Sequence, residues 1–348
     1  MNKENVKNNR IVRHTYYYFN SVFNRKRLRH KAETTIEKFG IEYPSEEVKN
    51  NQIKDMIRMN QLYGFTFEEY LYFHFADKPV KERRAFVADW EHLGYTCAMN
   101  DPDNAEIFDN KWKTYQKYRP YYHRDVDYIE GYAGKAAFEE FASRHSDFIV
   151  KPLDQSCGHG VGIVHVGDTS FEELLRENNG RFLIEELIDQ SEEMAQFHPA
   201  SVNTVRVTTI KLEEEVLIVH PFMRMGQHGN HVDNGGAGGI MCTIDAESGK
   251  IIAAADENGH SFTRHPDSGI EILGFKIPRW AELKNFVTEL ARIVPDNHYT
   301  GWDLALTDYG WVLVEANRRG QFVGWQIPTQ VGFREELNKI MKDLGKKY

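Results

Sequence analysis

The sequence predicts an α+β protein with antiparallel sheets and a helical N-terminal segment. Three observations predict this class. About the first 95 residues carry mostly helical spacing of apolar positions. After about Asp109 the chain changes to short β-rich runs separated by Gly, Asn and Asp turns. Helical stretches such as PRWAELKNFVTELARIV are interspersed among the later strands, which is typical of α+β proteins.

Two helices are expected between residues 65 and 94. The first, in FTFEEYLYFHFADK, begins after Thr66, a candidate N-cap, and Glu68 and Glu69 suit a first helical turn. The second, in KPVKERRAFVADWEHLG, is predicted to end at Gly94. This part contains no nucleotide or metal motif. We therefore expect residues 1–95 to be an accessory helical segment.

Composition favours a soluble protein with reduced thiols. Hydrophobic residues make up 41% and charged residues 27%, which is ordinary for a globular domain. The sequence contains neither an apolar signal-peptide core nor the roughly 18 uninterrupted apolar residues of a membrane helix. Cys97, Cys157 and Cys242 are far apart and odd in number, which argues against a disulfide framework. A cytoplasmic location is predicted.

Charge is unevenly distributed along the chain. The net charge is −9, but residues 1–33 carry nine Lys or Arg and two Glu, a net of +7 that leaves −16 for the rest. The densest basic stretch is NRKRLRHK, residues 24–31. It predicts either contact with an anionic membrane surface or polyanionic glycan, or the solvated face of an amphipathic helix over residues 16–39. Nucleic acid fits poorly because the body is acidic.

A glycine-rich stretch, VKPLDQSCGHGVGIVHV, spans residues 150–166. Lys151 precedes Gly158, Gly160 and Gly162. A dinucleotide fingerprint needs a helix after its glycines, whereas here the alternating, β-branched VGIVHV predicts a strand. The stretch is therefore predicted to be a glycine flap between two antiparallel strands. Its backbone N–H groups can close over phosphates, although a hairpin without a ligand is an open alternative.

A P-loop is excluded by a different test. That motif requires Ser or Thr directly after a Gly-Lys pair. The Gly-Lys pairs at Lys135, Lys250 and Lys346 continue with Ala, Ile and Lys.

A second constellation lies near the C-terminus, where WDLAL and WVLVEAN flank the turn TDYG. Tyr309 is midway between Asp303 and Glu315, so these two residues are predicted to face each other, give or take one position. Glu315 and Asn317 point to the same face. Oxygen ligands of this kind suit Mg²⁺. A surface hairpin with exposed acids is the alternative, but acids buried in such apolar strands need a cation partner.

The order of lysine, glycine hairpin, IEELI and a late D…ExN hairpin resembles the ATP-grasp superfamily from roughly Asp109 to Leu344. SVNTVRV, HVDNGGAGGI, GWDLAL and VEANRRGQ look most like the sugar-transfer-associated ATP-grasp family. The resemblance implies an ATP-grasp fold, in which two α+β lobes grip ATP. It implies a helical segment at residues 1–95, lobe A with the flap at 96–184, and lobe B with the metal site at 185–348.

The resemblance also implies roles for the lysines and the flap. Lys151 would meet the α- and β-phosphates, and the loop Gly158–Gly162, with His159 inside it, would close over the β- and γ-phosphates. Lys111 matches an earlier nucleotide-contacting lysine of the family, and Lys113 is a competing choice.

The hinge between the lobes would be FLIEELIDQSEE, residues 182–193. Its expected nucleotide-binding residues are Glu185, Glu186, Leu187, Ile188 and Glu192. Glu185 and the neighbouring peptide groups would read the adenine, and Glu192, or alternatively Glu193, would bind the ribose hydroxyls. An ordinary strand that ends in an acidic turn is the alternative.

Three residues are the implied catalytic groups: Arg224, Arg206 and Asn317. Arg224 and Asn234 resemble the Arg-then-Asn-Gly-Gly pattern of ribosomal-protein glutamate ligases, where an arginine can hold the γ-phosphate. Arg206 either meets a substrate carboxylate or phosphate or pairs with an acid of the chain.

The chain departs from D-alanine–D-alanine ligases at Gly301, where those ligases have an arginine two residues before the first metal acid. The oxyanion-binding role is expected to move to Arg206, Arg318 or Arg319.

Two other groups are not predicted to be metal or nucleophilic sites. His228, His231 and Asp233 have a spacing that suits a substrate-facing loop better than a zinc site. Cys157 has no His or Asp partner at a recognisable spacing and is expected to be a small loop residue.

The expected function is an ATP- and Mg²⁺-dependent carboxylate–amine ligase that forms an amide through an acylphosphate, with Mn²⁺ as an alternative metal. Its substrates would be small-molecule or sugar-linked carboxylates and amines, in cell-surface polysaccharide or related sugar-conjugate biosynthesis. An ATP-grasp kinase and a non-catalytic nucleotide-binding module are the alternatives.

Overall fold

The computed structural model describes residues 10–153, 161–228 and 238–347. Its helices are α1 Arg10–Phe23, α2 Arg25–Lys38, α3 Glu46–Tyr63, α4 Phe67–Tyr72, α5 Val80–Arg83, α6 Asp89–Met99, α7 Ala105–Asp109, α8 Lys111–Tyr118, α9 Lys135–Arg144, α10 Phe171–Glu177, α11 Glu192–Ala195, α12 Trp280–Arg292, α13 Val323–Thr329 and α14 Arg334–Asp343. Its strands are β1 Val126–Glu130, β2 Asp147–Pro152, β3 Gly162–His165, β4 Arg181–Glu186, β5 Val205–Lys211, β6 Val216–Met225, β7 Ile240–Ile244, β8 Ile251–Ala255, β9 Tyr299–Thr307 and β10 Gly310–Asn317.

The first sheet has four antiparallel strands in the order β1-β4-β2-β3. Helices α9 and α10 contribute Phe141 and Leu174 to a core with Phe148 and Phe182 of the sheet. The strand predicted after the glycines is confirmed as β3, where Gly162 pairs with Val150 of β2. The sequence does not predict strand β1, because its residues, VDYIE, include acids at the second and last positions that mask the apolar alternation.

The second sheet has six antiparallel strands in the order β10-β9-β5-β6-β7-β8. Helix α12 packs against it with Trp280, Leu283, Val287 and Leu290, four of the apolar positions whose spacing predicts that helix. Every residue of strand β9, which lies between β10 and β5, is buried. An ionisable residue on β9 is therefore removed from water and must find its partners inside the protein.

The N-terminal helical segment contains an aromatic core, to which Met241, Ala255 and Ile327 from later in the chain also contribute. Phe65, Phe73, Phe75 and Phe86 pack with ring centroids 4.7 to 6.3 Å apart. The predicted cap at Thr66 is present as a full capping box. The Thr66 hydroxyl accepts from the Glu69 N–H, and the Glu69 carboxylate accepts from the Thr66 N–H. The architecture thus confirms the predicted α+β class with a helical N-terminal segment.

The predicted helix over residues 78–94 is wrong. Helix α5 ends at Arg83, and α6 continues through Gly94 to Met99. The intervening Phe86, Val87 and Ala88 are completely buried. This segment leaves the helix because it bonds to the C-terminal part of the chain, a partner more than 230 residues away that helical spacing cannot reveal.

The C-terminal partners of this segment are Gln326 and Arg334. Gln326, which is fully buried, accepts from the Val87 N–H at 2.9 Å and donates to the Val87 carbonyl at 3.0 Å. Arg334 donates to the carbonyl groups of Arg84 and Phe86.

Two further observations bear on the sequence predictions. The boundaries predicted at residues 95 and 184 fall inside α6 and β4, and they stay predictions. Among the residues that the structure describes, no helix is both long and apolar enough to cross a membrane.

Replacing Gln326 with Leu is expected to lower the free energy of unfolding by about 2–4 kcal/mol, because two buried backbone groups of Val87 lose the amide that bonds to both. Urea unfolding measures the loss. Gln116, exposed on α8, is the matched control, and Gln116→Leu is expected to change stability by less than about 0.5 kcal/mol. Equal effects of the two substitutions would refute the anchoring role of Gln326.

Candidate active site

Three adjacent strands at one end of the six-stranded sheet, β10, β9 and β5, carry a row of charged side chains. Asp303 on β9 lies opposite Arg206 on β5 and opposite Glu315 on β10. The pairing with Glu315 follows a register shift in β10 between Leu313 and Glu315. The sheet therefore places two carboxylates and a guanidinium side by side on three adjacent strands.

Asp303 is the most buried member of this row, with a side chain 2% exposed. Arg206 binds it in a bidentate manner, with Nε 2.5 Å from Oδ1 and Nη2 2.6 Å from Oδ2. Arg224, held by two hydrogen bonds to the Thr204 hydroxyl, places its Nη2 3.0 Å from Oδ1. Burial alone would raise the pKa of Asp303, but the two arginines outweigh it and hold that pKa below its usual range.

The three predicted metal ligands converge. The Asn317 amide donates to Asp303 Oδ2 at 3.2 Å and to Glu315 Oε2 at 3.4 Å. The Glu315 side chain is 40% exposed, so this corner of the cluster is open to solvent. Two carboxylates and an amide are a ligand set that fits Mg²⁺, provided that Asn317 presents its carbonyl oxygen in place of the NH₂ group.

The two competing lysines of α8 lie in different surroundings. Lys111 Nζ is 3.7 Å from Glu315 Oε1, and its side chain is 19% exposed. Lys113 Nζ is 2.5 Å from Glu106, and both of those side chains are more exposed, at 42% and 72%. The structure thus brings Lys111 to the carboxylate cluster and Lys113 to a surface ion pair.

A second buried carboxylate lies in the four-stranded sheet. Glu185 on β4 receives hydrogen bonds from Lys151 Nζ at 2.8 Å and from Arg124 at 3.1 and 2.8 Å. Burial by itself would raise the pKa of the Glu185 carboxyl, but the charges of Lys151 and Arg124 outweigh it and lower that pKa to about 2. The Oε2 atom of Glu185 is thus shared by the flap-strand lysine and Arg124.

Arg124 has a role that the sequence does not mark. Besides Glu185, it donates to the carbonyl of Tyr122 at 3.2 Å and to that of Leu313, on β10, at 2.7 Å. One side chain therefore ties the strand of Glu185 to the strand of Glu315. Its sequence surroundings, YYHRDVDY, contain no motif that could have predicted these contacts.

The remaining hinge residues lie at the end of β4 and after it. Glu186 accepts from the Asp125 N–H at 3.0 Å, and its own N–H donates to the Asp125 carbonyl. Leu187 and Ile188 are half-buried, whereas Glu192 and Glu193 are exposed at the start of α11. The expectation that Glu185, Glu186, Leu187, Ile188 and Glu192 contact the nucleotide stays a prediction.

Gly301 lies against the Arg206 side chain. A Cβ atom built on Gly301 would approach Arg206 Cδ to 3.4 Å and the Gly320 Cα to 3.4 Å. The space beside residue 301 is therefore occupied by the side chain of Arg206.

Of the other two candidate arginines, one has its guanidinium paired with an acid outside the cluster. Arg318 forms a paired contact with Asp109, with Nε 2.7 Å from Oδ1. The Arg319 carbonyl contacts His92 Nε2 at 3.1 Å.

Several predicted residues lie outside the described residues: Gly158, His159, Gly160, Cys157, His231, Asp233 and Asn234. His228, at the edge of one gap, is exposed, and its N–H donates to the Asp267 carboxylate at 2.6 Å. Cys97 and Cys242 are free cysteines.

Glu185→Gln is expected to flatten the dependence of stability on pH. The folded-state pKa of about 2 lies below the ordinary 4.5, so the ionised carboxylate stabilises the fold above pH 4.5 and this contribution is lost as the pH falls toward 2. At neutral pH the variant leaves Lys151 and Arg124 without their carboxylate and is expected to lose about 3 kcal/mol.

Urea unfolding between about pH 3 and pH 7 checks this, because the difference between variant and parent should shrink below pH 4.5. Glu177→Gln, at an exposed position on α10, is the matched control. A difference that stays constant across this range would contradict the assignment.

Comparison with known proteins gives one family match. The model of the sugar-transfer associated ATP-grasp family matches residues 174–342, slightly less than half of the chain. No curated protein sequence matches. Two solved structures are similar at 13% identity: the ATP-grasp ligase PsnB, in complex with a phosphomimetic variant of its minimal precursor, Mg and ADP, and the D-alanine–D-alanine ligase from Helicobacter pylori.

The first similarity covers 73% of this chain and 66% of PsnB with a TM-score of 0.44, and the second covers 72% of this chain and 62% of the ligase with a TM-score of 0.45. The chain thus spans less than two thirds of the length of either neighbour. The family match includes β4 to β10 and every strand of the charged row. Over residues 174–342 the protein therefore matches the sugar-transfer-associated ATP-grasp family, and the ATP-grasp resemblance expected from its sequence is confirmed.

Proposed function

We propose that this protein is an ATP-dependent ligase that joins a carboxylate to an amine. One observation carries the proposal: Asp303, Glu315 and Asn317 converge, with the Asn317 amide within hydrogen-bonding distance of both carboxylates, while Arg206, Arg224 and Lys111 border the same cluster. Such a juxtaposition of hard oxygen ligands and fixed positive charges suits phosphoryl transfer, in which catalysis is mostly positioning and electrostatics.

The nucleotide would lie between the two sheets. Lys151 and Lys111 would bind its phosphates, and the segment after Glu185 would contact the adenine. Lys151 is already oriented by Glu185, with Nζ 2.8 Å from Oε2, so its ammonium has a defined position before a phosphate arrives. An ammonium held in this way loses little conformational entropy when the nucleotide binds.

Asp303, Glu315 and Asn317 would hold Mg²⁺, or Mn²⁺ in its place. When bound, the ion supplies charge neutralisation for the ATP phosphates. The arginines would also stabilise the negative charge of the phosphates. Arg224 would hold the γ-phosphoryl group as it moves, because its guanidinium is fixed between Thr204 and Asp303.

The proposed reaction has two steps. An oxygen of the substrate carboxylate attacks the γ-phosphorus, the bond from that phosphorus to the β–γ bridging oxygen breaks, and ADP leaves with an acylphosphate remaining. A neutral amine nitrogen then attacks the acyl carbon and phosphate departs with the electron pair of the C–O bond. The nitrogen loses a proton to solvent as the amide forms. No covalent bond to a protein side chain is needed.

Arg206 is the best candidate for the oxyanion-binding arginine. Its side chain fills the space beside Gly301, the position where D-alanine–D-alanine ligases are expected to have an arginine. Arg206 is paired with Asp303 and Arg318 with Asp109, so pairing does not separate the two; Arg206 is preferred because it lies in the charged row. A small-molecule or sugar-linked carboxylate as substrate, and a place in cell-surface polysaccharide or related sugar-conjugate biosynthesis in the cytoplasm, are proposed from the family name alone.

The decisive test is a screen of amino acids and sugar-linked carboxylates for ATP-dependent phosphate release, with products identified by mass spectrometry. A ligase releases ADP and phosphate only when both acid and amine are present, and the product is an amide. A stable phosphorylated acceptor without amide would instead assign a kinase. Binding of ATP without turnover of any pair would assign a nucleotide-binding module.

Glu315→Gln is expected to lower kcat/KM of that reaction by about 100-fold or more, since it removes a charged ligand from the cluster. Glu214→Gln, at an exposed position in the β5–β6 turn of the same sheet, is the matched control and is expected to leave kcat/KM within about twofold. Unchanged turnover in Glu315→Gln would refute the metal assignment.

The choice between Lys111 and Lys113 is tested by a matched pair of variants. Lys111→Met is expected to raise KM for ATP by about tenfold or more, because one buried charge contact to a phosphate is worth more than about 1.4 kcal/mol. Lys113→Met removes only an exposed ion pair and is expected to leave KM within about twofold. Steady-state kinetics at varied ATP separate the two. The reverse order of effects would assign the contact to Lys113.

A further inference from the structure

Helix α1 exposes an apolar face. Its exposed apolar side chains are Ile11, Val12, Tyr18, Phe19, Val22 and Phe23, with exposed fractions from 42% to 81%. Their spacing of three, four, seven or eight residues puts them on one side of an α-helix. The most exposed of them is Phe23, at the end of the helix, where 81% of its surface is accessible. A face of this kind is unfavourable in water and needs an apolar surrounding.

A basic cluster adjoins this face. Helix α2 begins at Arg25, and the exposed Arg25, Lys26 and Arg27 follow Phe23 after a single residue, Asn24. Arg29 and Lys31 continue the cluster one turn later, and Arg29 pairs with Glu33 at the next turn. The single helix predicted over residues 16–39 is thus interrupted at Asn24, between its most apolar and its most basic parts.

We propose that α1 and the start of α2 bind the surface of an anionic lipid bilayer. The apolar face of α1 would lie at the boundary between headgroups and acyl chains, and Arg25, Lys26 and Arg27 would contact the lipid phosphates. Both parts are needed, because apolar burial supplies the insertion and the basic residues select negatively charged lipids. The remaining chain has a net charge of −16 and would be repelled, so the contact is confined to this end.

A lipid surface explains more of these residues than a polyanionic glycan does. A glycan would satisfy the basic cluster but would leave Phe19, Val22 and Phe23 in water. Among lipids, a neutral surface would satisfy the apolar face but would offer no anionic headgroups to the basic residues of 25–31. The combination of the two features on consecutive helices therefore favours an anionic bilayer over either surface alone.

The test is co-sedimentation of the full chain with two kinds of vesicle, one of phosphatidylcholine and one containing about 30% phosphatidylglycerol, at salt concentrations of about 0.05 M and about 0.5 M. Binding is expected to be at least tenfold tighter to the anionic vesicles and to weaken at high salt. Equal binding to both vesicles, or binding to neither at low salt, would overturn the proposal.

Two variants separate the contributions. Arg25→Gln/Lys26→Gln/Arg27→Gln is expected to weaken binding by about 100-fold, since each basic side chain near an anionic surface contributes about fivefold. The matched control is Lys339→Gln/Lys342→Gln/Lys346→Gln, which removes three exposed charges from the C-terminal end and is expected to have no effect on binding.

Phe19→Ser/Phe23→Ser is expected to weaken binding by at least tenfold with little change in thermal stability, because both rings are more than half exposed. Binding to anionic vesicles that survives this change would show that charge alone acts, as for a glycan ligand, and would overturn the proposal. A second result would also overturn the proposal: the parent protein does not bind vesicles but forms a stable dimer by sedimentation equilibrium, and this dimer is lost in Phe19→Ser/Phe23→Ser.

Discussion

The structure of the site follows from one constraint: a carboxylate removed from water must be matched by positive charge. Asp303 and Glu185, one in each sheet, are both almost fully buried, and each is balanced by two basic side chains. Because of this balance, the guanidinium of Arg206 and the ammonium of Lys151 are held in fixed positions. The same pairs that make burial tolerable therefore pre-organise the cations expected to meet the nucleotide.

Arg124 extends this constraint from one sheet to the other. It neutralises Glu185 and at the same time donates to the carbonyl of Leu313, immediately before the register shift that brings Glu315 opposite Asp303. A movement of β4 relative to β10 would have to break this contact or carry Arg124 with it. The charge balance of the first sheet is thus coupled to the geometry of the cluster in the second, through a single side chain on the loop before β1.

What the sequence can predict is local. A hairpin centred on Tyr309 predicts the pairing of Asp303 with Glu315, whereas the hairpin closes with Thr307 opposite Gly310 and the shift after Leu313 restores the pairing. The turn differs from the predicted one by one residue, and the shift in β10 compensates for that difference. Contacts between residues that are distant along the chain leave no comparable local pattern in the sequence. Arg124 bonds to a strand 189 residues later. The break in the predicted helix at residues 84–88 likewise depends on partners near the C-terminus, which neither periodicity nor capping residues reveal.

The burial of Asp303 does not by itself call for a metal ion. In the sequence, an acid in apolar strands predicts a cation partner, and Mg²⁺ is expected because it prefers oxygen ligands. Asp303 already has Arg206 and Arg224, so its burial alone does not distinguish a metal from an arginine. The distinction rests on Glu315, which lies beside Asp303 and is 40% exposed, with Lys111 at 3.7 Å and the Asn317 amide at 3.4 Å. An open carboxylate next to a fully paired one is where a solvated cation that arrives with a phosphate can bind.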